Sequence, residues 1–596
     1  MVDQVNLLYK DEFPSGAYLS NALLNNIKAK TAKDRMAGLN ASAALMRDLQ
    51  TRAEKGEIEY VAIFSSIINT KNVEKATKQA LNDVKCPLAS QFVHGSASSP
   101  ASVMDQSKRI LMGVVWSEVK LLETGARFPE LATADTTCKT NKQGRPLLKI
   151  QGLDGNGKMF TRANALLWNE SDEAFLFVFK FALPKLWSDP VCQATSLIIT
   201  DGDPHMISAL KNALATTSFS ECTLKRCFWH LVHQAFAKLF GNGELDLEVN
   251  TVIRKWLNSL AYRVETVQDF DESIDELKQW IRSNVNSSLM PRQKKHLVQI
   301  SRVERMLQFI DSIESLKKSW AKCHRLGLCD LGHITTSLSE AGFSKLKGWN
   351  LAVHAQMGIN ATVDTMRKQE QLSIAKSDCD ADRQLSTHPL RNNFQSDAAV
   401  RLGVALTPRA VDEIDQQFKQ STKMTKQAVA AGRWRVRYTT ADDDYCMQSG
   451  DSEDEDIDTS AECRPWPKFL YAREVYVQNG KLFCSCMYSS SMLLPCRHII
   501  CVKMGTLSAR NCHYRWSLAW QAGRIPLTAL SRTFDDQESY GATLDGVAAC
   551  ELLDQSTTVG EADGQCEYVA DYYAPFNGDH DDVVGLLLML IVCIAR

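Results

Sequence analysis

What this 596-residue chain lacks narrows it first. It has no excess of either charge, with 68 Lys and Arg against 70 Asp and Glu and a net charge of −2. A protein without an overall basic field must offer nucleic acid a local patch or none. Cysteine is sparse for the length, 18 residues in 596, which excludes a disulfide scaffold. The opening Met1-Val2-Asp3-Gln4-Val5-Asn6 has neither a charged nor an apolar leader segment, so secretion is not expected. Clustered Cys and His then point to zinc rather than disulfides. The apolar run Val583–Ala595 holds 13 residues, about 20 Å of helix against roughly 30 Å of bilayer hydrocarbon. It reads as a packing helix or a chain-end artefact, and no membrane span is expected. No internal repeat is visible.

What is present is an ordinary globular balance, 23% charged and 44% apolar, in a length that suits roughly three to five domains. Residues 1–125 read mostly as helix. From Leu131 the rhythm turns short and β-branched, through Asp135, and Pro146–Leu153 leads by Asp154-Gly155-Asn156-Gly157 into Lys158–Ala165. That is a strand, a tight turn and a strand. Helical periodicity follows over 171–187, then the buried-strand run Ala194–Thr200, then a helix over 205–215. The result is a mixed α/β sheet, with an all-α block over about 231–330. Residues 351–430 form a helical connector and 431–525 a small β-rich module. That module contains an acidic loop, 442–458, with nine carboxylates and no basic residue. A polar tail, 526–596, closes the chain.

Cys484-Ser485-Cys486 and Cys496-Arg497-His498 offer three thiolates and one imidazole in two spaced pairs. This is a full tetrahedral set for structural zinc. Asn479-Gly480 suits a hairpin turn, which places the first pair at a strand end. Cys501, Cys512 and His513 lack the paired spacing. The pattern resembles the SWIM zinc finger, and Trp516 and Trp520 suit the aromatic end of that module.

Among the acids, Asp201 stands at the carboxyl end of the buried strand, where open α/β sheets place ligands. Asp203, before Pro204, is explained as a helix N-cap. Asp154 is explained by its turn. Asp135 lies inside a strand, where an aspartate needs a partner or a metal. Glu340 fits two readings, since Ser337-x-x-Glu340 is also a capping box. Cys227 and His230 have the spacing of half a zinc site, with Cys222 and His233 as completing ligands, or serve a structural role at a strand end.

Four blocks resemble those of Mutator-like element (MULE) transposases: Asp135–Asn141 with Pro146-Leu147-Leu148, Ile199–Asp203 with Met206, Arg226–Leu231 with its C-x-x-H, and Leu331–Glu340 with Leu346-Lys347. The resemblance spans about 105–520 and implies an RNase H-like catalytic domain, 126–350, whose helical insertion precedes the last acid. It implies a DDE triad of Asp135, Asp201 and Glu340 that holds two Mg²⁺ or Mn²⁺ for DNA strand cleavage and transfer. It further implies DNA (element ends and target) as partner, a protein contact through the zinc finger, an oligomer on DNA and a nuclear location. Two features depart from the family. No finger spacing occurs in the N-terminal region, and the acidic run precedes the zinc module. The alternative is therefore a catalytically silent, host-adopted DNA-binding or regulatory zinc protein, like the plant far-red-response regulators of the family. Arg433-Trp434-Arg435-Val436-Arg437-Tyr438 alternates basic with apolar residues, either a phosphate-facing strand or a solvated strand edge. Arg292, Lys294 and Lys295 read as a solvated helix face.

Overall fold

A computed structural model describes residues 41–66, 92–98, 109–138, 140–219, 221–240, 247–285, 301–336, 343, 357–386, 405–439, 472–478, 481–503 and 512–524. The acidic segment 442–458, Arg292, Lys294, Lys295, Glu340 and the apolar run 583–595 lie outside these residues.

The described strands are β1 (Ile58–Ser66), β2 (Phe92–Gly95), β3 (Arg109–Glu118), β4 (Leu131–Thr137), β5 (Leu147–Leu153), β6 (Met159–Leu166), β7 (Leu197–Thr200) and β8 (Thr223–Arg226). They form one mixed sheet in the order β2-β1-β3-β6-β5-β4-β7-β8. β4, β7 and β8 are parallel to one another, and β4-β5-β6-β3 run antiparallel. Over 1–125 the structure departs from the helical expectation. Only α1 (Ala41–Glu54) and α2 (Val119–Arg127) are helices among the described residues there, and β1 to β3 extend the sheet. The physical reason is burial on both faces. Val61 and Ile63 of β1 enter one core while Tyr60, Ala62 and Phe64 enter another. Both faces must then be apolar, which erases the two-residue alternation that marks a strand.

One face of the sheet carries Ala132, Ala134, Leu148, Ile150 and Ile198. Against it pack the helical segment Asp172–Leu176 with its π-helical continuation Phe177–Ala182, α3 (Leu183–Ala194) and α4 (Pro204–Thr216). The other face carries Leu131, Leu153, Leu197 and Ile199, covered by the C-terminal part of the chain. Beyond β8, α5 (Leu247–Tyr262), α6 (Val267–Asn284) and α7 (Arg302–Ser315) enclose their own apolar core around Trp256, Phe270 and Trp320. Lys225 of β8 ties that body to the sheet, its Nζ donating to the carbonyls of Lys318 (2.6 Å) and His324 (3.0 Å). The long α8 (Ile359–Ser386) lies along β3 and β6, where Arg367 pairs with buried Glu118 (2.7 Å) and Glu370 accepts from Asn164 (2.9 Å).

A second sheet, order β12-β11-β10-β9, consists of β9 (Met424–Ala430), β10 (Arg433–Tyr438), β11 (Arg473–Gln478) and β12 (Lys481–Cys484), all antiparallel. β9 precedes residue 431, where the sequence places the start of the module. Its inner side packs on α10 (Arg497–Lys503), which meets α9 (Pro408–Ser421) through Gln417 and Gln420. Among the described residues no helix is long and apolar enough to cross a membrane.

The C-terminal residues lock onto the β5–β6 turn. Arg515 is buried, its guanidinium pairing with Glu130 and donating to the carbonyls of Leu153 (2.8 Å) and Asp154 (3.1 Å). Gly155 allows this approach, since a Cβ there would stand 2.6 Å from the Arg515 carbonyl. Breaking a buried pair from one side costs about 3–5 kcal/mol. Arg515→Met should therefore lower the unfolding free energy, read from denaturant titration, by that order, and a change below about 1 kcal/mol would show that this contact does not hold the C-terminal part to the sheet.

Candidate metal centres of the sheet end and the C-terminal module

The two aspartates meet through strand register. β4 and β7 pair in parallel with Ala134 opposite Thr200, so Asp135 and Asp201, one residue on, occupy neighbouring positions at the carboxyl ends of adjacent strands, about 4.8 Å apart in backbone spacing. Alternation puts Asp135 on the face of Leu131 and Thr133, and Asp201 follows Leu197 and Ile199 on that same face. Asp135 is buried and Asp201 half-buried. Lys149 of β5 stands directly opposite Asp135 in the antiparallel register and is also buried. Directly opposed residues share a face with Cβ atoms about 5 Å apart, so a cation borders the buried carboxylate. The single-strand patterns offered no sign of Lys149, because its partner is named only by register.

Asp201 is held by its own turn. Its Oδ1 accepts from the Thr200 hydroxyl (3.1 Å) and from the Asp203 N–H (3.0 Å), and Gly202 follows at φ +98°. Asp203 caps α4, accepting from the Met206 N–H at 2.9 Å with Pro204 in the first turn. Asp154 accepts from the N–H groups of Asn156 and Lys158, both at 2.8 Å, within its turn. Burial raises the Asp154 carboxyl above its usual range. Thr140 and Asn141, in the first family-like block, are buried, and Asn141 exchanges hydrogen bonds with the backbone of Arg145. These bonds fix the loop that leaves β4.

Cys227 and His230 hold the segment that leads to Glu340. The Cys227 N–H donates to the Thr200 carbonyl at 2.7 Å, immediately before Asp201. The Thr336 N–H in turn donates to the Cys227 sulfur at 3.1 Å, and the Thr336 hydroxyl meets His230 Nδ1 at 3.1 Å. Burial pushes the Cys227 thiol up, away from thiolate. Cys222 lies in the core on the opposite face of the sheet. Upstream, Asp330 pairs with buried Arg325 (2.6 Å) and accepts the Gly332 N–H, steadying the positive-φ pair Leu331 and Gly332. Thr336 is four residues before Glu340, whose placement lies outside the described residues.

Cys484, Cys486, Cys496 and His498 converge, with one ligand atom from each within 4.8 Å of all the others. Cys484 ends β12, Cys486 follows in the turn, and left-handed Met487 and Leu493 bracket the short helix Tyr488–Met492. Cys496 and His498 then enter at the start of α10. All four side chains are nine-tenths or more buried. Without a cation so tight a set concentrates its negative charge. Hydrogen bonds from Cys484 and Cys496 hold the Cys486 thiol well below its ordinary value, whereas burial pushes Cys496 well above it. The buried Nδ1 of His498 has no hydrogen-bond partner, and burial keeps its imidazole neutral. Three sulfurs and one neutral imidazole in this geometry fit Zn²⁺. Cys501 and Cys512 pack in the apolar clusters on either side, and burial drops His513 to about 3.

Comparison with known proteins bears on the sheet. Residues 131–234, from β4 past Cys227 and His230, match the MULE transposase domain. This segment is the part of the chain that is similar to that family. The chain is also similar to the Arabidopsis thaliana protein FAR1-RELATED SEQUENCE 5, 23% identical over 138 residues. That match covers 23% of this chain and 16% of the relative. The MULE segment thus contains Asp135, Asp201, Cys227 and His230 and ends before Thr336, so the third-acid block lies beyond it.

Two measurements test these centres. Cys227→Ala leaves the Thr336 N–H unpaired and should cost about 1–3 kcal/mol of stability with zinc content unchanged at one ion per chain. A second ion lost on this substitution would instead make the pair a metal site. Chelation, or Cys496→Ser, should open residues 424–503 to protease while the MULE segment stays resistant, because such ligation energy is folding energy. Unchanged protease resistance after chelation would exclude a structural ion.

Proposed function

We propose that this chain is a MULE-type DDE transposase or a direct derivative of one, acting on DNA in the nucleus as an oligomer. The observation that carries this reading is the strand order β6-β5-β4-β7-β8 with β4 and β7 parallel, which makes Asp135 and Asp201 neighbours. Three antiparallel strands followed by two parallel ones is the arrangement expected of an RNase H-like catalytic domain. The body of α5 to α7 stands where the helical insertion before the final acid is expected, within a domain of about 126–350. Residues 351–430 serve as connector, and the zinc-holding part to about 525 as a SWIM-type finger for DNA or protein.

Asp135, Asp201 and Glu340 supply hard carboxylate oxygens, the donor type that Mg²⁺ and Mn²⁺ require. Two such ions would polarise the scissile phosphate and the attacking oxygen. The protein's own contribution is placement. The Thr200 hydroxyl and the Asp203 N–H hold one Asp201 oxygen in a fixed direction. Lys149, opposite Asp135 in the register of β5 with β4, supplies a cation on the same sheet face. Cys227, His230 and Thr336 fasten the segment leading to Glu340 beside the end of β7.

Purified chain should nick DNA in a Mg²⁺- or Mn²⁺-dependent manner. Asp201→Asn should reduce the rate beyond the ~10–100-fold that follows loss of a metal ligand's hydrogen-bond partner, and Glu340→Gln should do the same. Nicking that survives Asp201→Asn would remove the assignment. The alternative, a catalytically silent derivative that acts by binding, finds support in the similarity to FAR1-RELATED SEQUENCE 5. It predicts intact ion binding with no nicking.

A further inference from the structure

We propose that the outward face of the β9–β12 sheet is a docking surface for single-stranded DNA. This deepens the reading of DNA as partner, and it stands apart from whether the acids turn over. The inward face is fixed by its core: Met424, Val436, Val475 and Cys484 are buried, with Trp434, Tyr438 and Leu482 packed beside them. Alternation sends the residues between them to the other side. There Arg433, Arg435 and Arg437 form an exposed row along β10, with successive guanidinium stems about 7 Å apart.

Beside that row runs an aromatic one. Arg433 is opposite Tyr476 in β11, and Tyr476 is opposite Phe483 in β12. The two rings are half-buried and stacked, with centroids 5.8 Å apart and planes at 20°. Lys481 shares this strand end. One carboxylate, Glu474, stands on the face, 4.0 Å from Arg435, an exposed pair of small strength.

A cationic row for the phosphates next to stacked aromatic rings for the bases is the combination that binds single strands. In a duplex the base faces are already covered by their neighbours, so only an unpaired strand uses both rows. A cross-strand aromatic pair also stabilises the sheet; it is the row of three arginines beside it that gives the face the chemistry of a single-strand site.

The test is fluorescence anisotropy on the zinc-loaded full chain without added Mg²⁺, so failure here leaves the ion-dependent reading untouched. The full chain keeps the nine-carboxylate stretch 442–458 that joins β10 to β11 in sequence. Labelled dT20 should bind at least about tenfold tighter than a 20-base-pair duplex. Tyr476→Ala with Phe483→Ala should weaken dT20 binding by about tenfold or more, as loss of base stacking does. Tyr476→Trp with Phe483→Trp should keep it, and unchanged zinc content checks folding in every variant. Changing Arg433, Arg435 and Arg437 to Ala should reduce the slope of log affinity against log salt by about 2. Equal or tighter duplex binding, an unchanged affinity in the double-alanine variant, or no binding of dT20 at low salt would each overturn the proposal.

Discussion

The parallel pairing of β4 with β7 is the constraint on which the rest of the molecule depends. Backbone hydrogen bonds in one register bring together two aspartates that stand 66 positions apart in sequence (135 and 201). Parallel strands need both faces covered. The helices from Asp172 to Thr216 cover one face, and the C-terminal part of the chain covers the other. Anionic side chains at the sheet end thus sit in a frame that is apolar on both sides, where an unbalanced charge is costly. The hydrogen bonds to Asp201 answer part of that cost from within its own turn, and Lys149 stands opposite Asp135 in register.

The same economy of polar groups recurs wherever distant segments join. Arg515 reaches Glu130 and two carbonyls of the β5–β6 turn, Arg325 reaches the carbonyl of Ala261 in α5, and Arg367 reaches Glu118. Each guanidinium is buried and fastens one body to another, using the several donors of arginine where lysine would offer a point charge. Cys227 does comparable work with a weaker acceptor, linking the end of β7 to Thr336. In the described structure the C-x-x-H pair meets backbone and hydroxyl groups, and the convergent set of four ligand side chains lies elsewhere, at Cys484, Cys486, Cys496 and His498.

Much of the central sheet was legible. Strand runs read near 131–137, 146–153, 158–165 and 194–200 correspond to β4 to β7, because β-branched residues and the Asp-Gly-Asn-Gly turn are local signals. Asp203 as a cap and Asp154 as a turn former were also readable, since both satisfy backbone groups within four residues. The N-terminal strands were not. Ile58–Ser66 and Arg109–Glu118 are apolar on both faces, and such runs carry no period that separates strand from helix.

The convergent set of three cysteines and one histidine was legible from sequence alone, because two ligand pairs close in the chain can converge around a short turn. The candidate acids Asp135, Asp201 and Glu340 were read there from family blocks and chain position. Which acid neighbours which was decided only by the tertiary structure, because register between strands is fixed by pairing and burial, and no residue encodes it by itself. For the same reason Lys149, the Thr336 contacts and the Arg433–Tyr476–Phe483 row became visible only once strands and loops lay side by side.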